Sequence, residues 1–184
     1  PDLAANYAGG YDVGMNDANP LWQVNNHGAI VSGDACAVTN NGVGVASPGF
    51  NCKFKAVKIS NATGVLVAGY KGITWAADNG CKIINCSWGG PGGGSYGQNI
   101  IDYAAINKNC LIIASAGNDG SDKTSYPGSF NNVYRCASTN GSDAKSPFSD
   151  YGNDVDFCAP GSNIYSTSSG TGYGPSSGTS MASP

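Results

Sequence analysis

A serine lies in a glycine-led segment near the end of the chain, where residues 178–184 read GTSMASP. The pattern predicts a tight turn at Gly178 that leads into a helix, with the hydroxyl of Ser180 at the helix start. Backbone N–H groups are unpaired there, and the helix dipole favours negative charge. Such a serine attacks a carbonyl only if a base takes its proton and donors hold the oxyanion. The alternative interpretation is an inert Ser/Thr-rich tail.

The base can only be His27, because the chain contains a single histidine. Asn26 is suited to cap a helix, which would leave His27 in the first turn and Ile30 and Val31 one turn further on. By itself, a histidine beside apolar residues is more often structural than catalytic. Its significance therefore depends on the other groups that the chain supplies.

The donors are expected from residues 111–120, which read LIIASAGNDG. This pattern predicts a buried strand that runs into a glycine turn and exposes the amide of Asn118, although Asn-Asp-Gly alone is only a turn signal. Ser87, Trp88 and Gly89 directly follow another predicted strand. Because the carboxyl ends of parallel strands share one edge of a sheet, Asn118 and these three residues should face the same crevice.

Taken together, these segments resemble those of the subtilisin-like (subtilase) serine peptidases. Residues 178–184 are similar to the segment around that family's nucleophile, and residues 26–33 to the segment of its base. Residues 115–118 resemble the segment of the oxyanion-hole asparagine, and residues 87–91 the loop that lines the substrate cleft. The order along the chain is also the family's, and the resemblance covers nearly the whole chain.

The resemblance implies acyl transfer on a peptide bond of a polypeptide substrate. Ser180 would be the nucleophile and His27 the base, while Asn118 and the Ser180 N–H would hold the oxyanion. It also implies a secreted or extracellular protein, with a pro-region or further domains outside this chain. The residues expected to bind substrate are Ser87, Trp88, Gly89, Ser115, Ala116, Gly117, Thr63 and Gly64.

The third member of the family's triad is not recognisable. No strand followed by Asp-Thr-Gly or Asp-Ser-Gly precedes His27, and Asp2, Asp12 and Asp17 all lie in turn-rich sequence. We therefore expect residues 1–184 to be a partial subtilisin-like catalytic domain, truncated at both ends and nearly inactive alone. A non-catalytic relative that binds peptides in its cleft is the main alternative.

A structural calcium ion is the only cofactor that the resemblance implies, and no organic cofactor is expected. The loop at residues 39–45 resembles the family's calcium loop, and residues 1–3 the segment that lends it a carboxylate. The implied ligands are the side chains of Asp2 and Asn41 and the carbonyls of Thr39, Val43 and Val45. A helix stop at residues 40–42 explains the same sequence equally well.

Composition excludes several function classes. Only 11% of the 184 residues are charged, the net charge is -3, and no basic patch is present to bind nucleic acid. The apolar runs are too short to span a membrane. The seven cysteines include no Cys-x-x-Cys pair; five lie in or beside apolar runs and are expected to be buried, whereas Cys36 and Cys52 could form a disulfide.

Strand-like and helix-like patterns alternate along the chain, after a loop-like stretch over residues 1–20. This alternation predicts an α/β fold with a mainly parallel sheet and helices on both faces. Helices are expected at about 27–38, 63–79 and 98–108, and strands at 54–59, 82–86, 111–115, 133–137 and 155–158.

Two further interpretations come from other enzyme classes. Residues 92–97 fit the dinucleotide-binding pattern G-x-G-x-x-G, with Asp119 near the distance of a ribose ligand, but residues 87–91 separate the strand from the first glycine. Asp154 and Asp156 could mimic the carboxylate pair of a glycosidase, although such rim carboxylates are usually only solvated. Neither interpretation explains His27 and Ser180.

Overall fold

The computed structural model describes residues 2–184, which divide into two compact units. The first unit contains the residues up to 79 together with residues 165–175, and the second contains residues 80–164 and 176–184. The strands are β1 Tyr7–Asp12, β2 Phe54–Lys58, β3 Ile83–Cys86, β4 Leu111–Ser115, β5 Tyr134–Thr139, β6 Phe157–Pro160, β7 Ile164–Thr167 and β8 Tyr173–Ser176. The helices are α1 His27–Cys36, α2 Gly69–Asp78, α3 Gly94–Asp102 and α4 Thr179–Ala182, and a π-helical turn, Tyr103–Asn107, continues α3.

The first unit contains a parallel pair, β1 and β2, in which Tyr11 lies opposite Val57. The prediction of a loop over residues 1–20 is therefore wrong for residues 7–12. Gly9 and Gly10 belong to this strand, and a Cβ on Gly10 would stand only 2.2 Å from the Ala56 carbonyl oxygen. Glycine is thus required for the close approach of the two backbones.

Helix α2 begins six residues later than its apolar spacing predicts. The side-chain oxygen of Asn61 accepts the N–H groups of Thr63 and Val65, at 3.0 Å each, and Ser60 forms an isolated bridge with Leu66. This local turn satisfies the backbone that a helix would otherwise use. The end of the helix, at Asp78 before Gly80, agrees with the prediction.

The second unit is built on four parallel strands in the order β3-β4-β5-β6. Strand β4 has the predicted bounds, and the ends of the other three differ from the predicted ones by at most two residues. The core between strands and helices is small and apolar, and its fully buried members include Ile101, Ala104, Ile112, Ala114 and Cys136. The α/β class is confirmed, but the parallel strands are distributed over two sheets, and the β7-β8 pair was not predicted.

Helix α3 begins at Gly94, four residues before the predicted start. The glycine before the helix is closely packed, because a Cβ on Gly93 would lie 2.1 Å from the ring of Phe130. The last glycine of the dinucleotide-binding pattern, Gly97, is a buried helix residue. That pattern therefore does not form a phosphate-binding turn at the end of a strand.

Helix α1 carries a half-buried carboxyl group, that of Asp34. Burial raises the pKa of Asp34 to about 6, and a hydrogen bond with Ser166 opposes this rise only partly. Its Oδ2 has no hydrogen-bond partner among residues 2–184. Because the folded pKa lies above the ordinary value of 3.8, protonation of Asp34 favours the folded state. The stability that the neutral carboxyl provides is present below pH 4 and is lost as the pH rises through about 6.

Asp34→Asn should therefore stabilise the protein at neutral pH, since it removes a charge that is poorly solvated. We expect a gain of about 1–2 kcal/mol at pH 8 and almost none at pH 4. Thermal unfolding at both pH values measures it. Asp143→Asn is the control, because the Asp143 side chain is exposed. An equal gain at pH 4 and pH 8 would contradict the role of the Asp34 charge.

Candidate active site

Ser180 lies in the first turn of α4, as the sequence predicts, and is 9% exposed. Gly178 has an extended backbone (φ 160°), so the turn into the helix does not need glycine at that position. Its carbonyl accepts the N–H of Met181 at 3.0 Å, which closes the helix start. All four residues of α4 are buried, and this short helix is therefore held by its surroundings rather than by its own length.

The segment that follows β3 contacts Ser180 directly. The Ser180 hydroxyl donates to the Ser87 carbonyl oxygen at 3.3 Å, and the Ser87 hydroxyl donates to the Ser180 carbonyl oxygen at 2.8 Å. The Asn85 amide in turn donates to the Ser87 hydroxyl at 2.8 Å. The predicted nucleophile and the predicted cleft loop are thus adjacent within the second unit.

Asn118 is joined to the residue before Ser180. Its side-chain oxygen accepts the backbone N–H of Thr179 at 2.8 Å and the Thr179 hydroxyl at 3.0 Å. The amide oxygen is therefore committed to Thr179, and the NH2 group is left as the donor that faces away from it. A donor of this kind, beside a serine hydroxyl, is what an oxyanion hole requires.

The predicted walls of the substrate cleft follow two neighbouring strands. Strands β3 and β4 are parallel, with Cys86 opposite Ala114, so residues 87–89 and residues 116–118 leave the sheet at the same edge. A Cβ on Gly89 would lie 2.5 Å from the Ser125 hydroxyl. Gly90 and Tyr126 exchange two backbone hydrogen bonds, of 3.0 and 2.9 Å, which tie the cleft loop to a third segment of the second unit.

Thr63 and Gly64, which were also predicted to bind substrate, belong to the first unit. They form the turn around Asn61, and Gly64 has a φ of +84°, a conformation that favours glycine. A Cβ on Gly64 would lie 3.6 Å from Val24. The structure therefore gives these two residues a turn geometry, and their contact with substrate stays a prediction.

His27 is the first residue of α1, in the first unit. The Asn25 side chain accepts its backbone N–H at 2.8 Å, whereas Asn26, the predicted cap, donates instead to the Ser168 hydroxyl at 3.0 Å. Burial lowers the pKa of His27, which favours the neutral form that a general base needs. The approach of His27 to Ser180 stays a prediction.

Three consecutive hydroxyl residues in and after β7 hold this helix. Besides the Ser168 contact with Asn26, the Ser166 hydroxyl donates to the Ile30 carbonyl at 2.8 Å, and the Thr167 hydroxyl to the Ala29 carbonyl at 2.6 Å. A Cβ on Gly33 would lie 2.3 Å from the Thr167 hydroxyl, so this contact requires glycine on the helix. No pattern in the sequence indicated that these residues position α1.

A buried carboxylate, that of Asp150, holds the turn that carries Asn118. Its Oδ1 accepts the N–H groups of Asp119 at 2.9 Å and Ser121 at 3.0 Å, and its own N–H donates to the Gly117 carbonyl at 3.0 Å. Gly117 has a φ of +116°, and a Cβ there would lie 2.1 Å from Asp150 Oδ2. Sequence reasoning missed Asp150, because an aspartate in a loop is usually exposed.

A fully buried arginine, Arg135, supports the same region from β5. Its guanidinium forms an ion pair with Asp154 and donates to the carbonyl oxygens of Ala116 and Lys123. Its backbone N–H donates to Asp156 at 2.7 Å. Asp154 and Asp156 are therefore partners of one arginine, and the glycosidase interpretation of this pair is not supported.

Two of the residues predicted to bind calcium, Asn41 and Val45, contact Asp2, whose side chain is buried. The Asn41 amide nitrogen donates to Asp2 Oδ1 at 2.7 Å, and the Val45 N–H donates to Oδ2 at 2.8 Å. Burial alone would raise the pKa of Asp2, but these hydrogen bonds outweigh it and lower the pKa. The Asn41 side-chain oxygen instead accepts the Val43 N–H at 3.1 Å.

This arrangement does not fit calcium, because nitrogen donors occupy the carboxylate oxygens that the ion would need. Rotation of the Asn41 amide would be required to present its oxygen, so calcium stays a prediction and no step depends on it. No cluster of three or more His, Cys or Asp side chains within residues 2–184 is arranged to hold a metal ion. Over the same residues, every helix is too short or too polar to cross a bilayer.

Comparison with known proteins places these features in one family. The model of the subtilase family of peptidases matches residues 1–184. The chain belongs to the subtilase family. Over its whole length it is 44% identical to thermitase of Thermoactinomyces vulgaris and 41% identical to a thermophilic serine proteinase of Bacillus sp. strain AK1. It spans 66% of the first relative and 46% of the second.

Solved structures of subtilase proteins have the same fold. A protease from Pseudoalteromonas arctica superposes with a TM-score of 0.88 at 32% identity, and a cold-adapted subtilisin-like serine proteinase with a TM-score of 0.85 at 30% identity. Each covers all of this chain, which spans 70% and 66% of the two structures. The subtilisin-like α/β fold predicted from the sequence is thus confirmed.

Asp150→Ala should unfold the Asn118 turn locally, because it leaves the partly buried N–H groups of Asp119 and Ser121 without an acceptor. We expect the free energy of unfolding to fall by about 2–4 kcal/mol and the amides of Asp119 and Ser121 to exchange faster with solvent. Urea unfolding and hydrogen exchange measure the two effects. In the control, Asp119→Ala, only an exposed ion pair with Lys123 is lost, which should cost below about 1 kcal/mol. Equal losses in both variants would contradict the assigned role of Asp150.

Proposed function

We propose that this subtilase is a serine endopeptidase that hydrolyses peptide bonds through Ser180, His27 and Asn118. The observation that carries the proposal is the double hydrogen bond from Thr179 to the Asn118 side chain, directly before Ser180. It supports the proposal because it joins the Asn118 side chain to the residue before Ser180, at the carboxyl edge of a parallel sheet, where ligands of such sheets bind.

In the first step, the Ser180 hydroxyl attacks the scissile carbonyl carbon while His27 takes its proton. The hydroxyl must leave the Ser87 carbonyl, a contact of 3.3 Å that is long for an O–H donor. The carbonyl oxygen becomes negative and is held by the Asn118 NH2 group and the Ser180 N–H. His27 then gives its proton to the leaving amine, and water releases the acyl group by the same steps in reverse.

The proposed substrate is an extended polypeptide. Residues 87–89 follow β3 and residues 115–117 lie at the end of the neighbouring strand β4, and an extended substrate chain could pair with backbone groups at this edge. Ser115, Ala116 and Gly117 would wall the main side-chain pocket, and Thr63 and Gly64 are further residues that we propose to bind substrate. We also propose that the protein acts outside the cell, as a secreted hydrolase.

The carboxylate that orients His27 is not assigned to any aspartate of this chain. Asp2 is held by Asn41 and Val45, and the buried Asp12 carboxylate pairs with Lys58. Asp34 lies seven residues beyond His27 on α1, a rise of about 10 Å, which is too far for a hydrogen bond. We propose that this carboxylate is supplied from outside residues 1–184, and that these residues alone are nearly inactive, since loss of the triad aspartate costs about four orders of magnitude in kcat.

A serine-directed phosphonofluoridate probe on the full-length protein tests the proposal. We expect covalent label at Ser180, located by peptide mapping, and loss of label in both Ser180→Ala and His27→Ala. Circular dichroism must show each variant folded. Label on a serine other than Ser180, or none on the folded protein, would refute the peptidase and favour a peptide-binding relative without activity.

Asn118→Ala removes the proposed oxyanion donor and should lower kcat about 100-fold to 1,000-fold with little change in KM. This is the loss observed when one oxyanion-hole donor is removed from a subtilisin. Steady-state hydrolysis of a peptide substrate by the full-length protein provides the measurement. Thr179→Ser is the matched control, because it keeps the hydroxyl that donates to Asn118 and should retain near-normal kcat. A change in KM alone would show that Asn118 binds substrate without stabilising the transition state.

A further inference from the structure

Two cysteines border one loop of the first unit. Helix α1 ends at Cys36, which is buried, and Cys52 lies two residues before β2 and is exposed. Both are thiols in this structure. The loop between them, residues 37–51, includes Asn41 and Val45, which hold the Asp2 carboxylate.

The backbone brings the end of α1 against the turn that contains Cys52. The Gly49 N–H donates to the Ala35 carbonyl at 3.1 Å, and the Cys52 N–H donates to the Gly49 carbonyl at 2.8 Å. The side-chain amide of Asn6 bridges the same segments, since it donates to the carbonyl oxygens of Cys36 at 3.0 Å and Phe50 at 3.1 Å. Residues 35–36 and 49–52 therefore lie side by side.

The Cys36 thiol is directed toward this turn. Its sulfur lies 3.6 Å from the position that a Cβ on Gly49 would occupy, so the absence of a side chain at Gly49 leaves room beside the sulfur. Burial, and after it the neighbouring Cys52 thiol, raise the pKa of Cys36. Two thiols influence each other electrostatically only at short range, which agrees with the backbone contacts.

We propose that Cys36 and Cys52 form a disulfide that fastens the carboxyl end of α1 to the start of β2. The exposed Cys52 thiolate attacks a small-molecule disulfide such as oxidised glutathione, forms a mixed disulfide and expels one thiolate. The Cys36 thiolate then attacks the Cys52 sulfur and expels the second thiolate. Two protein thiols are oxidised, one glutathione disulfide is reduced, and the two protons pass to the glutathione thiolates.

The remaining cysteines offer a less favourable geometry. Cys86 and Cys136 are buried in the second unit, and burial raises the pKa of each to about 12, which suppresses the thiolate. The Cys110 thiol donates to the Cys81 carbonyl oxygen at 3.1 Å. Cys158, exposed on β6, also contributes to the raised pKa of Cys136, but it lies opposite Ala137 and therefore points to the other face of the sheet from Cys136.

The disulfide would close residues 37–51 into a covalent loop. Such a crosslink restricts the unfolded chain and so stabilises the folded state. It would also hold in place the loop that donates hydrogen bonds to Asp2. In addition, it would hold the carboxyl end of α1, the helix that begins at His27. The proposal does not depend on peptidase activity, and both of its tests can be read on a protein without activity.

Thiol mapping of the full-length protein gives the first test. No Lys or Arg precedes Lys53 in this sequence, so trypsin leaves Cys36 and Cys52 on one peptide with no other cysteine of the chain. After exposure to oxidised glutathione, unfolding in iodoacetamide should leave this peptide unmodified, and prior reduction should give two alkylated cysteines. Alkylation of either cysteine without reduction, or a crosslink from either to a third cysteine, would overturn the proposal.

Thermal unfolding gives the second test. Cys52→Ser should lower the melting temperature of the oxidised protein by about 5–10 °C and leave that of the reduced protein unchanged. Cys158→Ser, which replaces another exposed cysteine, should have no effect in either state. If Cys52→Ser under oxidising conditions had the same melting temperature as the oxidised wild type, the stabilising role of the disulfide would be overturned.

Discussion

The arrangement around Ser180 depends on one side-chain amide. An asparagine side chain has one acceptor atom and one donor group, and Asn118 commits its acceptor to both donors of Thr179. This commitment fixes the orientation of the amide, because a flipped side chain would place NH2 against two other donors. The orientation of the donor group and the position of α4 are therefore set by the same pair of hydrogen bonds, and neither can change without the other.

Charged side chains in the interior of the second unit hold the turn that carries Asn118. Strand β4 ends in a turn whose amides cannot pair within the sheet, and a buried carboxylate accepts two of them. The carbonyl of Ala116, on the same turn, is satisfied by the buried guanidinium of Arg135. Apolar packing could not supply these acceptors and donors, because buried backbone groups cost free energy unless they are hydrogen-bonded. The turn is thus held by hydrogen bonds to charged side chains rather than by apolar packing. The Asp150 carboxylate can approach it because residue 117 is a glycine and has no Cβ in the way.

Elements that depend on neighbouring residues could be predicted from the sequence, whereas those that depend on residues distant in sequence could not. Strand β4, helix α1 and the turn into α4 are specified by local spacing and were predicted within a few residues. Strand β1 was missed because Gly10 serves a contact with Ala56, which lies far along the chain. The start of α2 was missed because the Asn61 side chain binds the backbone N–H groups there. The buried positions of Asp150 and Arg135 were missed because their partners are distant in sequence. Charged residues are assigned to the surface unless their partners are known, and those partners are distant in sequence. Burial of cysteines was predicted correctly for Cys86, Cys110 and Cys136 but not for the exposed Cys158.

The helix that begins at His27 shows how polar contacts can replace an apolar face. Only Gly33 and Cys36 are buried in α1, and a helix of ten residues is not stable by itself. Hydroxyls of Ser166 and Thr167 donate to carbonyl oxygens of its first turn, which already accept hydrogen bonds within the helix and have a second lone pair available. These contacts orient the first turn, and His27 with it, through the backbone rather than through the imidazole. None of these contacts uses the imidazole ring, and burial lowers its pKa, which favours the neutral state that a proton acceptor in peptide hydrolysis requires.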